Sequence, residues 1–153
     1  MKKKLLTLCL VERAGEVLLG MKKRGFGEGR WNGYGGKVND GETISDAARR
    51  ELREEVGIEA LNLNYRGFFH FIFDDKPDEA LEVHLFSTTE YSGEPRESEE
   101  IGFRWFRYDD VPYDEMWPDD KHWMPLFFAG KSLTGTVHFK DKDNIREYNF
   151  REI

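Results

Sequence analysis

"GGKVNDGETISDAARRELREEVGI", residues 35–58, is the stretch on which the fold turns. Ile44, Ala47, Ala48, Leu52 and Val56 recur near a 3.6-residue period and Gly57 follows them, so a helix closing at Gly57 is expected. Glu51, Glu54 and Glu55 sit three and four residues apart on that helix. Like charges at this spacing repel and weaken a helix, here in a chain already at net charge -7. Two arrangements offset the repulsion. Arg49, Arg50 and Arg53 can pair with the glutamates and leave an ordinary solvated face. Alternatively, the glutamates present their oxygens to hard divalent cations such as Mg²⁺.

Before this helix, "KLLTLCLV" (4–11) and "EVLLGMKK" (16–23) read as two strands joined by a short turn. Three lysines and an apolar run open the chain, but the run is too short for a leader peptide and reads better as a first strand. "RGFGEGRWNGYGGK" (24–37) is a Gly-rich loop with a short strand at its end, and it has the spacing of neither a P-loop nor a dinucleotide-binding turn. After the helix, residues 64–74, 81–91 and 103–108 are aromatic and β-branched and read as strands. A turn at 74–79 and a charged loop at 94–100 separate them. "WPDDKHWMPLFFAGK" (117–131) opens with Pro118 and two aspartates, which is how helices start. Residues 135–153 read as a closing hairpin with "DKDN" (141–144) as its turn. The order implies one mixed sheet flanked by helices.

The 153 residues are expected to form a single domain, 1–153. A composition of 39% hydrophobic and 35% charged residues fits a globular chain and excludes a disordered one. A pI near 5.2 argues against a nucleic-acid polymer as main partner, although a small phosphate-bearing ligand stays possible if cations intervene. No stretch approaches the roughly 20 apolar residues of a membrane span. Cys9 is the only cysteine, so no intrachain disulfide forms, and a reducing, cytoplasmic setting is expected. Its apolar neighbours suggest an inert core thiol. Aromatic residues make up 14% of the chain, which suits either a planar ligand or a wide sheet packed by phenylalanines. His70, His84, His122 and His138 show no metal-ligand spacing.

The spacing around the glutamates is specific. Gly36, Glu42, Arg50, Glu51, Leu52, Glu54, Glu55, Gly57 and Ile58 stand at fixed offsets over about 23 residues. This pattern resembles the Nudix box at every defined position. The resemblance implies an α/β/α sandwich with a central mixed sheet, and hydrolysis of a nucleoside diphosphate linked to another moiety with Mg²⁺ or Mn²⁺. It makes Glu51, Glu54 and Glu55 metal ligands, with the Gly35 or Gly36 carbonyl nearby. It makes Arg50 the residue that orients them and Glu42 its support. Glu55 or Glu100 would take the proton from water. Glu100 lies in "ESEE" (97–100), a loop that in related enzymes brings one more carboxylate to the metals; exposed charge alone explains that loop equally well.

The remainder of the chain, from "TLCLV" to "YNFREI", resembles the Nudix branch that acts on oxidised purine nucleoside triphosphates. On that resemblance Asn32, Asp119 and Asp120 read the base. Thr7, Lys22, Phe26, Phe71, Phe73 and Trp117 form the pocket wall, joined by Leu81 where the relatives have methionine. Tyr34 stands where they have phenylalanine, and the 74–79 turn is one residue longer. The residue types suit a flat purine: aromatic faces for its ring, an amide and two carboxyls for its edge. The expected partner is a small nucleotide such as 8-oxo-dGTP, 2-hydroxy-dATP or O6-methyl-dGTP, and the expected state is a monomer. Two other readings stay open: a Nudix enzyme for a dinucleoside polyphosphate or ADP-ribose, and a non-catalytic binding module on the same fold.

Overall fold

The computed structural model describes residues 1–153. Its strands are β1 (Lys2–Arg13), β2 (Glu16–Lys22), β3 (Trp31–Asn32), β4 (Tyr34–Lys37), β5 (Glu59–Ala60), β6 (Asn64–Phe73), β7 (Glu79–Thr88), β8 (Tyr91–Ser92), β9 (Ile101–Arg107), β10 (Leu133–Asp141) and β11 (Asn144–Glu152). Helix α1 is Ile44–Val56 and helix α2 is Asp120–Phe128. One mixed sheet of nine strands runs β11-β10-β6-β7-β1-β2-β3, with β4 also on β1 and β9 also on β2. The short β5 and β8 pair with each other.

Strand β1 organises both layers. It runs parallel to β7 from Lys2↔Glu79 to Val11↔Thr88, and antiparallel to β2 and β4. Successive side chains of a strand point to opposite faces. Accordingly Leu10, with Leu6 and Leu8 beside it, packs into a core shared with Trp123, Met124 and Phe127 of α2. Cys9 and Val11 enter a second core with Ala48, Leu52 and Val56 of α1. The helices therefore cover opposite faces of the sheet, as the α/β/α expectation required. Burial pushes the Cys9 thiol up to about 12, which keeps it inert.

Helix α1 begins where Thr43 accepts a hydrogen bond from the Asp46 N–H (3.1 Å) and ends at Gly57 in the left-handed region, φ 77°. Its buried residues are those of the predicted apolar stripe. Helix α2 is shorter than the 117–131 expected: Trp117 and Pro118 precede it, and Pro125 inside it lacks an N–H donor. Packing holds it instead. Trp123 meets Phe69 edge-on at 5.0 Å, and Arg66 donates to the carbonyls of Phe127 and Lys131, both at 2.6 Å.

Strand β7 stops at Thr88 and not at the expected residue 91. Asn62 Oδ1 accepts the N–H groups of both Thr89 and Glu90, which turns the chain out of the sheet. No helix of the structure is long and apolar enough to cross a membrane.

Candidate active site

The site begins with close backbone contact between β4 and its neighbours. Register puts Thr7 opposite Gly36 and Leu8 opposite Gly35. A Cβ at Gly35 would collide with the Thr7 carbonyl, and one at Gly36 would stand 2.7 Å from Glu51 Oε1. Glycine at both positions lets α1 bring its carboxylates against the sheet edge.

Arg50 is the hub of that face. It grips Glu42 through Nε to Oε2 (2.8 Å) and Nη2 to Oε1 (3.0 Å). It also donates to Glu51 Oε1 (2.9 Å), Glu54 Oε2 (3.3 Å) and the Lys37 carbonyl (3.0 Å). Those charge-assisted bonds, with the Asn39 N–H, pull the Glu42 carboxyl down to about 2. Glu51 and Glu54 thus share one guanidinium, which answers part of the repulsion between them.

Glu55 is treated differently. No cationic side chain bonds to it; its Oε1 accepts the Gly35 N–H at 2.8 Å. Burial, then the Glu51 charge, push its carboxyl up to about 8. The three carboxylates do not converge on a common point in this arrangement, because two face Arg50 and one faces Gly35. Their helix positions share one side, so side-chain rotation alone can gather them. Hard oxygens in surplus, a glycine that leaves room for Glu51 and a half-buried carboxyl with no cationic partner are a donor set suited to a divalent ion. Glu100 stands apart: exposed, it pairs with Arg24 at 3.3 Å and touches none of the α1 carboxylates.

Glu55 and Gly36 help to line a cavity of about 230 Å³. All of Thr7, Lys22, Phe26, Asn32, Phe71, Phe73, Leu81, Trp117, Asp119 and Asp120 line it too. Its volume is below the roughly 300–1,000 Å³ of sites that enclose a whole drug-sized ligand. That volume suits a single planar ring system rather than a whole nucleotide. Trp117 lies 5.0 Å from Phe26 and 6.2 Å from Phe73, and the Arg30 guanidinium sits 4.6 Å over its ring. Phe26 is 68% exposed, so a ligand ring would find it as an uncovered face.

Polar groups are few at this end and each is aimed. Asn32 Oδ1 accepts the Gly33 N–H (2.8 Å), which leaves its NH₂ as the free donor. Asp119 sits at the start of α2 yet makes no capping bond; its Oδ2 accepts from Trp123 Nε1 at 2.9 Å. Thr7 Oγ1 and Asp120 Oδ2 are buried without any partner. Burial raises both aspartates, and the charge of Asp119 raises Asp120 further. Two adjacent carboxyls at 2% and 3% exposure cannot both stay ionised cheaply, so the pair holds a proton near neutrality.

The NUDIX domain family matches residues 2–149. The chain belongs to the Nudix family. Oxidized purine nucleoside triphosphate hydrolase of Mus musculus is 49% identical over 150 residues, covering 98% of this chain and 96% of the relative. The protein of the same name from Danio rerio is 49% identical with the same coverage. The crystal structure of the MutT protein from Bacillus halodurans superposes with a TM-score of 0.85 at 31% identity, covering 96% of this chain and 97% of that one. The Nudix fold thus extends over nearly the whole chain, from β1 to β11.

Sequence reasoning missed two features of this Nudix domain. The Asn32–Gly33 bond, which orients the amide, depends on a loop conformation that carries no periodic signal. Glu82 accepts from or shares protons with both His70 (2.8 Å) and His84 (3.0 Å), a cross-strand trio on the sheet that only the β6–β7 register creates.

Proposed function

We propose that this chain is a metal-dependent pyrophosphohydrolase for oxidised or otherwise modified purine nucleoside triphosphates. It would release the nucleoside monophosphate and pyrophosphate and so keep damaged nucleotides out of the pool. One observation carries the reading: a single cavity is lined both by the buried Asp119–Asp120 pair and by Glu55 with the β4 glycines. The activity named for the mouse and zebrafish relatives supports the same substrate class.

In this reading the base lies between Trp117 and the phenylalanine wall, and its edge meets Asn32 and the aspartate pair. Lys22 lines the cavity and makes no ion pair with a carboxylate, which leaves it available for a phosphate oxygen. Glu51, Glu54 and Glu55, with the Gly35 or Gly36 carbonyl, would hold the metal, and Arg50 keeps the glutamates aligned. What Mg²⁺ or Mn²⁺ supplies there when bound is neutralised phosphate charge and a more acidic water. Glu55, held ionised when a cation sits against it, would accept the proton of the attacking water. Glu100 reaches the site only after leaving Arg24. The cytoplasm and a monomeric state complete the proposal, supported by the lone buried thiol and by a cavity complete within one chain.

A hydrolysis screen with Mg²⁺ tests the reading, using 8-oxo-dGTP, 2-hydroxy-dATP, O6-methyl-dGTP, dGTP and ADP-ribose. Preference for the modified triphosphates with pyrophosphate as co-product is expected. Release of single phosphate, or preference for ADP-ribose, would overturn the product or the substrate assignment respectively.

A further inference from the structure

Tyr34 is the one fully buried side chain of β4, and nothing in the proposed chemistry uses it. Its ring has a made place. A Cβ at Gly20 would stand 2.8 Å from Tyr34 Cε1 and 2.8 Å from Ile101 Cγ2, so glycine there makes room for it. The ring packs with the core beneath α1, among Cys9, Leu52 and Ile101, and not with the aromatic wall of the base end. Yet Tyr34 lines the cavity that Glu55 lines, and its hydroxyl is buried without a hydrogen-bond partner. A phenol keeps its proton at neutral pH, so the hydroxyl is available as a donor. A buried donor left unpaired is destabilising. Phenylalanine would fill the same space without that penalty. The hydroxyl therefore calls for an acceptor that enters the cavity.

We infer that Tyr34 donates a hydrogen bond to a water molecule that Glu55 also holds, and is a positioning residue for the attacking water. Glu55 has Oε2 to offer, since its Oε1 takes the Gly35 N–H. A buried water is held by two to four such polar groups. Tyr34 keeps its own proton throughout. The water's proton passes to Glu55, its oxygen bonds to phosphorus, and the pyrophosphate leaves with the electron pair of the broken P–O bond. The hydroxyl increases the rate and is not indispensable, because Glu55 holds the same water without it. The inference rests on the reading of Glu55 as the proton acceptor.

The test is Tyr34→Phe, assayed with 8-oxo-dGTP and Mg²⁺. We expect kcat to fall about tenfold, the worth of one hydrogen bond in the transition state, with KM within about twofold of wild type. Tm should hold or rise, because an unpaired donor has been removed; a merely structural tyrosine would lower Tm and spare kcat. In a Glu55→Gln background the same substitution should change kcat by less than about twofold, since the two side chains act on one water. A wild-type kcat in Tyr34→Phe, or a loss confined to KM, would overturn the inference. Full activity in Glu55→Gln alone would overturn the underlying reading of the site instead.

Discussion

Helix α1 carries its carboxylates on thirteen residues capped at both ends, whereas α2 carries Asp119 and Asp120 on nine residues with a proline inside. The first helix solves its charge problem by pairing: Arg50 serves Glu42, Glu51 and Glu54 at once. The second solves it by burial and protonation, with Trp123 Nε1 as one supporting donor. Glu42 and the aspartates, carboxyls of nearly equal intrinsic acidity, are thus pushed in opposite directions. Ionised oxygens suit a cation and accept only; a shared proton lets a carboxyl pair donate as well as accept. Glu55 lies between the two regimes, on the paired helix but half-buried and, like the aspartates, raised by desolvation.

The largest effect expected from breaking this contrast is at α1. Glu54→Gln and Glu55→Gln should each lower kcat by at least about a hundredfold, the scale of a positioned proton-transfer group. EDTA should abolish turnover, and Mg²⁺ or Mn²⁺ should restore it. Full activity in EDTA would end the metal reading. Next comes the aspartate pair. Asp119→Asn and Asp120→Asn each freeze one donor pattern, so each should shift the ratio of 8-oxo-dGTP to 2-hydroxy-dATP turnover, by about tenfold if one hydrogen bond is reversed, and the two shifts should be unequal. Equal loss of both activities would mean that the pair only positions the base.

Stability against pH comes third. Glu55 holds its proton up to about 8 in the folded chain, whereas an unfolded glutamate releases it near 4.5. The folded state therefore binds the extra proton between those values. The stabilisation is complete below pH 4.5 and is lost as pH rises to about 8, with a slope of up to about 1.4 kcal/mol per pH unit. Thermal melts of the metal-free protein should fall across that window. Glu55→Gln should flatten the fall only in part, because the raised aspartates act with the same sign. The smallest effect is at the α1 cap. Thr43→Ala should cost about 1 kcal/mol of stability in denaturant melts while leaving kcat within about twofold.

Much of this was readable from residue order alone. The α1 stripe and its closing glycine are local signals, and the observed helix matches them. The mixed sheet followed from the alternation of strand-like and helix-like segments. What residue order leaves open has one cause. Whether Asp119 caps α2 or turns inward depends on where Trp123 stands, and a helix-start pattern is the same in both cases. Glu100 sits in a loop whose charges pair with Lys23 and Arg24 across 70 or more residues, a contact set by the β2–β9 ladder. The β5–β8 ladder has two residues a side, too few to show a period.

Strand β1 carries Thr7 at the base end, and β4, bonded directly across it, carries Gly35 and Gly36 at the carboxylate end. Under the proposed function, the strands that line the base pocket and the metal site are joined directly by main-chain hydrogen bonds, and the protein would act as a ruler whose zero mark is the purine. A ruler of this kind counts from the base, so extending the phosphate chain should not move the cut. A nucleoside tetraphosphate should yield the same monophosphate, with triphosphate in place of pyrophosphate. Chromatography of its products reads the result directly, and a diphosphate product would show that the enzyme measures from the other end.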